Sequence, residues 1–163
     1  LEWNRKRGAV YLTAGIGYGK TKLAAFDKAE LDAGIVATNA IKVSSFVPPA
    51  WKIRRDNDRL RTLTDGGGVL PMAYAYRTSK SEKMAAAAVI GINDDKKRAS
   101  IIAECAISGK TKDEARKEAE KCVKEAFAFR DWKLNATKKI SVETGPKKGW
   151  YACALVAAVF FPE

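Results

Sequence analysis

The sequence predicts an α+β fold, mainly antiparallel sheet with two main helices laid over it. Three observations carry this. Apolar runs of strand length recur from end to end and are separated by short turns. These runs lack the alternating βα spacing that builds a parallel sheet. One segment, 112–129, has apolar residues at helical spacing behind a capping signal. With 163 residues, 47% hydrophobic and 30% charged, the chain suits a single globular domain, 1–163, with a sizeable core.

A basic lead, Arg5-Lys6-Arg7, precedes an apolar run over 9–14 that reads as a buried strand. A glycine-rich loop over 15–19 follows it. In 22–33, Leu23, Phe26 and Leu31 are spaced by charged residues, which gives a helix ended by Gly34. Residues 41–47 alternate as a strand, stopped by Pro48-Pro49. Residues 51–61 are polar and basic and read as a solvated loop, and the glycines at 66–68 mark another. Strands are predicted over 70–77, 84–92 and 99–105. In the helix over 112–129, Thr111 and Glu114 form a capping box. Ala115, Ala119, Cys122, Val123, Ala126 and Phe127 share one of its faces. Strands over 138–142 and 151–161, split by the Gly145-Pro146 turn, close the chain.

Composition excludes much. There is no histidine, so Ser-His-Asp and Cys-His triads and histidine-ligated metals are ruled out. Cys105, Cys122 and Cys153 cannot all pair and fit no zinc spacing; they read as packing residues of a protein in a reducing cytoplasm. The apolar stretch 150–161 is shorter than the roughly 20 residues a spanning helix needs, and no charged-then-apolar leader opens the sequence. No membrane association is expected.

Two binding readings compete. Ala14-Gly15-Ile16-Gly17-Tyr18-Gly19-Lys20-Thr21, between a strand and a helix, has the look of a nucleotide-phosphate loop. However, Ala14 stands where that pattern needs glycine, and only Asp94 approximates the acid that would complete a metal site. A strand-to-helix turn accounts for the same residues. The net charge of +11 raises nucleic acid, with Trp51 beside the basic residues of 52–61 as a stacking surface. Asp56 and Asp58 interrupt that cluster, and basic residues spread over the whole chain, as on a solvated face.

Ser44-Ser45 carries a different chemistry. A serine at a strained bond can attack the carbonyl before it, and elimination from the resulting ester breaks the chain. The downstream serine is left as a ketoacyl group. Such a group would supply an electrophile to a chain without histidine.

The residues around the serine pair resemble those of the pyruvoyl-dependent arginine decarboxylases. The resemblance runs through Ala25-Phe26-Asp27, Leu31-Asp32-Ala33-Gly34-Ile35, Asn39 and Val43-Ser44-Ser45-Phe46-Val47-Pro48-Pro49. It continues through Leu70-Pro71-Met72-Ala73-Tyr74-Ala75-Tyr76, Ile102-Ala103-Glu104, the 114–129 helix and Arg130-Asp131-Trp132. It implies an αββα four-layer sandwich, assembled as a homotrimer or a dimer of trimers with active sites between subunits. It also implies self-cleavage between Ser44 and Ser45 into a β chain, 1–44, and an α chain, 45–163, with Ser45 becoming a covalent pyruvoyl group. Neither PLP nor a metal is needed. Asn39 matches the residue that assists processing, and Asp27 the carboxylate that holds the guanidinium of arginine. Glu104 matches the acid that protonates the carbanion left by decarboxylation. The product, agmatine, feeds polyamine synthesis. Ile101-Ile102-Ala103-Glu104-Cys105 is an apolar setting able to raise that acid's pKa. Val36 and Lys20 depart from the pattern, which has glycine at the first position and admits an acid at the second.

Overall fold

The computed structural model describes residues 7–162. Arg5 and Lys6 of the basic lead lie outside the described residues. Two sheets stack face to face, and helices cover both outer surfaces. The first sheet is built from β1 (Gly8–Gly19), β2 (Asn39–Lys42), β4 (Lys52–Arg54), β5 (Val69–Ser79) and β9 (Tyr151–Pro162), in the order β2-β5-β9-β1-β4. The second holds β3 (Phe46–Val47), β6 (Met84–Asn93), β7 (Ser100–Ser108) and β8 (Leu134–Thr144), in the order β3-β7-β6-β8. Pairing is antiparallel except between β1 and β4 and between β2 and β5.

Three helices complete the layers: α1 (Lys22–Asp32), α2 (Asn57–Thr64) and α3 (Lys112–Ala128). Between the sheets lie Val10, Leu12, Ile90, Ile102, Val156 and Phe160. α1 and α2 seal the far face of the first sheet through Ala25, Ala29 and Leu60 over Tyr11, Leu155 and Val159. α3 seals the second through Ala115, Ala119, Val123 and Phe127. A helix of this length is marginal alone, so the buried face decides. Burying a Val or Phe is worth about 1.5–3 kcal/mol, against roughly 1 kcal/mol for a cap. The capping box is present: Thr111 Oγ1 accepts from Glu114 N, and Glu114 accepts from Thr111 N.

Several sequence expectations need correction. The residues read as a glycine-rich loop are strand: β1 continues to Gly19, paired with β9 throughout. Gly15, Gly17 and Gly19 alternate at the strand period and lie directly beneath α1. A Cβ on Gly15 would sit 2.1 Å from Ala29 O, and one on Gly17 2.1 Å from Ala25 O. The glycines let helix backbone rest on strand backbone, so they cradle a helix rather than a phosphate. Thr21 is the N-cap of α1, and Lys20 lies 3.9 Å from the centre of the Trp150 ring. Asp94, the other residue of the nucleotide reading, pairs with Lys133 at 3.1 Å.

The basic segment 51–61 is β4 followed by α2, not a solvated loop. Asp56 caps α2 by accepting from Arg59 N, while Leu60 and Thr64 are its buried residues. Trp51 is no stacking surface for bases: it is buried between the sheets against Phe160. The strand expected over 41–47 is two strands in different sheets. Cys122, expected in the core, is exposed on α3; Cys105 and Cys153 are half-buried and buried.

Candidate active site

The chain crosses from one sheet to the other at the serine pair. β2 runs parallel to β5, and just past its end Val43 N donates to Met72 O at 3.1 Å, still on the first sheet. Two residues later Ile102 N donates to Ser45 O at 2.8 Å, and Phe46 pairs with Ile101 on the second sheet. The Ser44–Ser45 bond therefore has one flank tied to each sheet. Phe46 N donates to Ser44 O at 3.1 Å, which draws electron density from the carbonyl that a Ser45 hydroxyl would attack. Ser44 is exposed and Ser45 half-buried.

Glu104 reaches the same place from β7, where it pairs with the fully buried Ala88 of β6. Ser44, Ser45 and Glu104 line one groove of about 390 Å³, floored by Ile101 and Ile102 and walled by Cys122, Ala126 and Arg130 of α3 and its C-terminal turn. Glu104 has no ion-pair partner among the described residues. Burial holds its carboxyl above the ordinary glutamate range, while the Lys42 charge pulls the other way. A raised pKa is the direction that suits a carboxyl to donate a proton.

Asp27 and Asn39 do not line this groove. Asp27 is exposed on α1, beside Phe26, whose ring lies tilted against Tyr76 with centroids 4.4 Å apart. Asn39 opens β2 opposite Val69 and is also exposed. Sequence reasoning missed three charged residues near these groups. Glu30, one turn beyond Asp27, is pushed up to about 7 by burial and then by the Asp27 charge. Lys42, three residues before Ser45, donates to Tyr74 O at 2.8 Å and acts electrostatically on Glu104. Arg130 faces the groove. The Asp27–Glu30 spacing was there to be read; Lys42 is one among 30 basic residues with no local mark, and Arg130 stands in the Arg130-Asp131-Trp132 motif with nothing there to tie it to the serine pair.

Residues 9–163 match the family model of pyruvoyl-dependent arginine decarboxylases. The chain belongs to this family. A pyruvoyl-dependent arginine decarboxylase of Methanocaldococcus jannaschii is 37% identical over 158 residues, covering 93% of this chain and 88% of that protein. One from Pyrococcus abyssi is 34% identical over 165 residues, covering 99% of each. One from Methanococcus aeolicus is 36% identical over 153 residues, covering 91% of this chain and 87% of that protein. Family membership brings a pyruvoyl group, covalent and made from the chain, in place of PLP. The residues present fit such a group: a serine sits at a tethered crossing, the carbonyl before it is polarised, and a carboxyl whose pKa burial raises shares its groove. Val36, where the resemblance led to an expectation of glycine, donates its N–H to Thr64 Oγ1 at 3.0 Å. Its valine thus sits on the α2 side, within the first sheet's outer layer.

Proposed function

We propose that this chain, one domain over 1–163, converts arginine to agmatine and CO₂ in the cytoplasm, for polyamine synthesis. The observation that carries the reading is the shared groove of Ser45 and Glu104. Ser45 Oγ attacks the Ser44 carbonyl, and the Phe46 N–H supports the negative charge that gathers on its oxygen. The Ser44 acyl group moves from Ser45 N to Oγ, and β-elimination then releases the 1–44 carboxylate and leaves dehydroalanine at 45. Water replaces its nitrogen, which leaves as ammonia, so the products are the β chain 1–44 and the α chain 45–163 with Ser45 as the pyruvoyl group, Asn39 assisting. That group supplies the electron sink for the charge left when CO₂ departs. Glu104 then delivers a proton to Cα. Asp27 pairs with the substrate guanidinium through a charge-assisted, two-pronged contact. Asp27 and Asn39 are exposed and lie outside the groove of a single subunit. This supports a site completed between subunits of a homotrimer or a dimer of trimers.

The test is a denaturing mass measurement on purified protein. Two fragments, 1–44 and 45–163, are expected, the larger reactive with a hydrazide and blocked at its N-terminus. Ser45→Ala is expected to remain one inactive chain. A wild-type protein that stays whole on prolonged incubation, with no hydrazide-reactive carbonyl, overturns the reading.

A further inference from the structure

Arg130 has no role in the chemistry above, yet it forms a wall of the Ser45–Glu104 groove. It stands just past α3, where Arg130 N and Trp132 N both donate to Phe127 O and hold the turn. Its guanidinium lies 5.3 Å from the ring centre of Phe46, the residue after Ser45, and 5.8 Å from that of Trp132. Among the described residues, its one hydrogen bond is from Nη1 to Ala126 O at 2.9 Å, and it has no carboxylate partner. A guanidinium that lies over aromatic rings and spends one donor on a backbone carbonyl has its other N–H donors left for a ligand. Here the free edge belongs to a cation beside the reacting serine, in a groove whose one acid is Glu104.

We propose that Arg130 binds the α-carboxylate of the substrate. This rests on the function proposed above and adds the recognition of the substrate's other end. A planar carboxylate is the natural complement of a free guanidinium edge. Arginine carries that carboxylate and agmatine does not, so the contact favours substrate over product. It is made in the ground state and ends when CO₂ leaves, so its loss falls on KM rather than kcat. The same contact turns the scissile carboxylate toward a fixed side of Ser45.

The test uses the self-cleaved protein and two competitive inhibitors. One is δ-guanidinovalerate, which has guanidinium and carboxylate but no α-amine; the other is agmatine, which has no carboxylate. In Arg130→Gln, KM for arginine and Ki for δ-guanidinovalerate are expected to rise together by about 10- to 100-fold, the worth of one charged hydrogen-bonded contact. Ki for agmatine is expected to stay within a few-fold of wild type. Arg130→Lys, which restores the charge without the fork, is expected to recover part of the loss. If both inhibitors weaken equally, or Arg130→Gln no longer cleaves itself, Arg130 is a residue that shapes the groove through Phe46, and the assignment is overturned. If the wild-type protein neither cleaves nor binds agmatine, the underlying function falls with it. A cleaving, agmatine-binding protein whose inhibitor ratio is unmoved by Arg130→Gln overturns this assignment alone.

Discussion

For Glu104, the proposed acid, the surroundings bear directly on the proposed role. An exposed glutamate is ionised at neutral pH and has no proton to give. Burial on β7, beside the fully buried Ala88 of β6, favours the neutral form and moves the carboxyl upward. Lys42 opposes this shift, so the two together set the pH at which the proton is lost. Glu104→Gln keeps the volume and removes the transferable proton. Self-cleavage is expected to continue in this variant, because Ser45 and the Phe46 N–H remain. Turnover is expected to fall by roughly 10²–10⁴-fold, the usual worth of a positioned general acid. The sign of the pH effect follows from the role. Wild-type turnover declines as pH rises through the Glu104 pKa, and the glutamine variant loses that decline. A variant with wild-type turnover and the same high-pH limb assigns the proton to another donor.

At the scale of elements, the contact between α1 and β1 depends on side chains that are missing. Gly15, Gly17 and Gly19 form a bare track, and Ala25 and Ala29 are the small residues that rest on it. A Cβ on Gly17 would meet Ala25 O at 2.1 Å and Ala29 N at 2.4 Å, both backbone atoms that cannot rotate away. Gly17→Ala therefore lifts α1 from the sheet, and a loss of roughly 1–3 kcal/mol or more is expected in urea unfolding. Wild-type stability in that variant would mean that the helix can shift freely over β1. The same elements show what sequence patterns convey. α3 was legible because its cap and its apolar face agree. The end of β1 was not, because glycine is read as a loop-former unless the helix above it is known. α2 was hidden because its buried residues, Leu60 and Thr64, are too few to make a stripe. The break between β2 and β3 left no trace either, since alternation continues across a strand that changes sheets. Ser44, Ser45 and Glu104, named as candidates from motif and apolar context, line one groove. Arg130 needed the fold, which brings the end of α3 against β3.

At the scale of the whole molecule, the position of the scissile bond decides what cleavage does to the fold. The first 44 residues include β1, which lies inside the first sheet between β9 and β4, together with α1 and β2. β1 pairs with β9 from Gly8↔Pro162 to Gly19↔Tyr151, and Val10 and Leu12 on it are fully buried between the sheets. α1 covers the outer face, with Ala25, Ala29 and Ala33 wholly inside. Removing this fragment would open a sheet and strip a helix from its surface. The cut itself costs little, because Val43 remains tied to the first sheet and Ser45 to the second. Ser44 takes part in no strand pairing, so the cut breaks no ladder. The cleaved protein is therefore expected to behave as one particle: fragments 1–44 and 45–163 co-elute on gel filtration at neutral pH and separate only in denaturant. Its urea midpoint is expected to lie near that of uncleaved Ser45→Ala at the same protein concentration. Release of the smaller fragment on simple dilution would mean that the crossing peptide, and not the shared sheet, holds the two segments together.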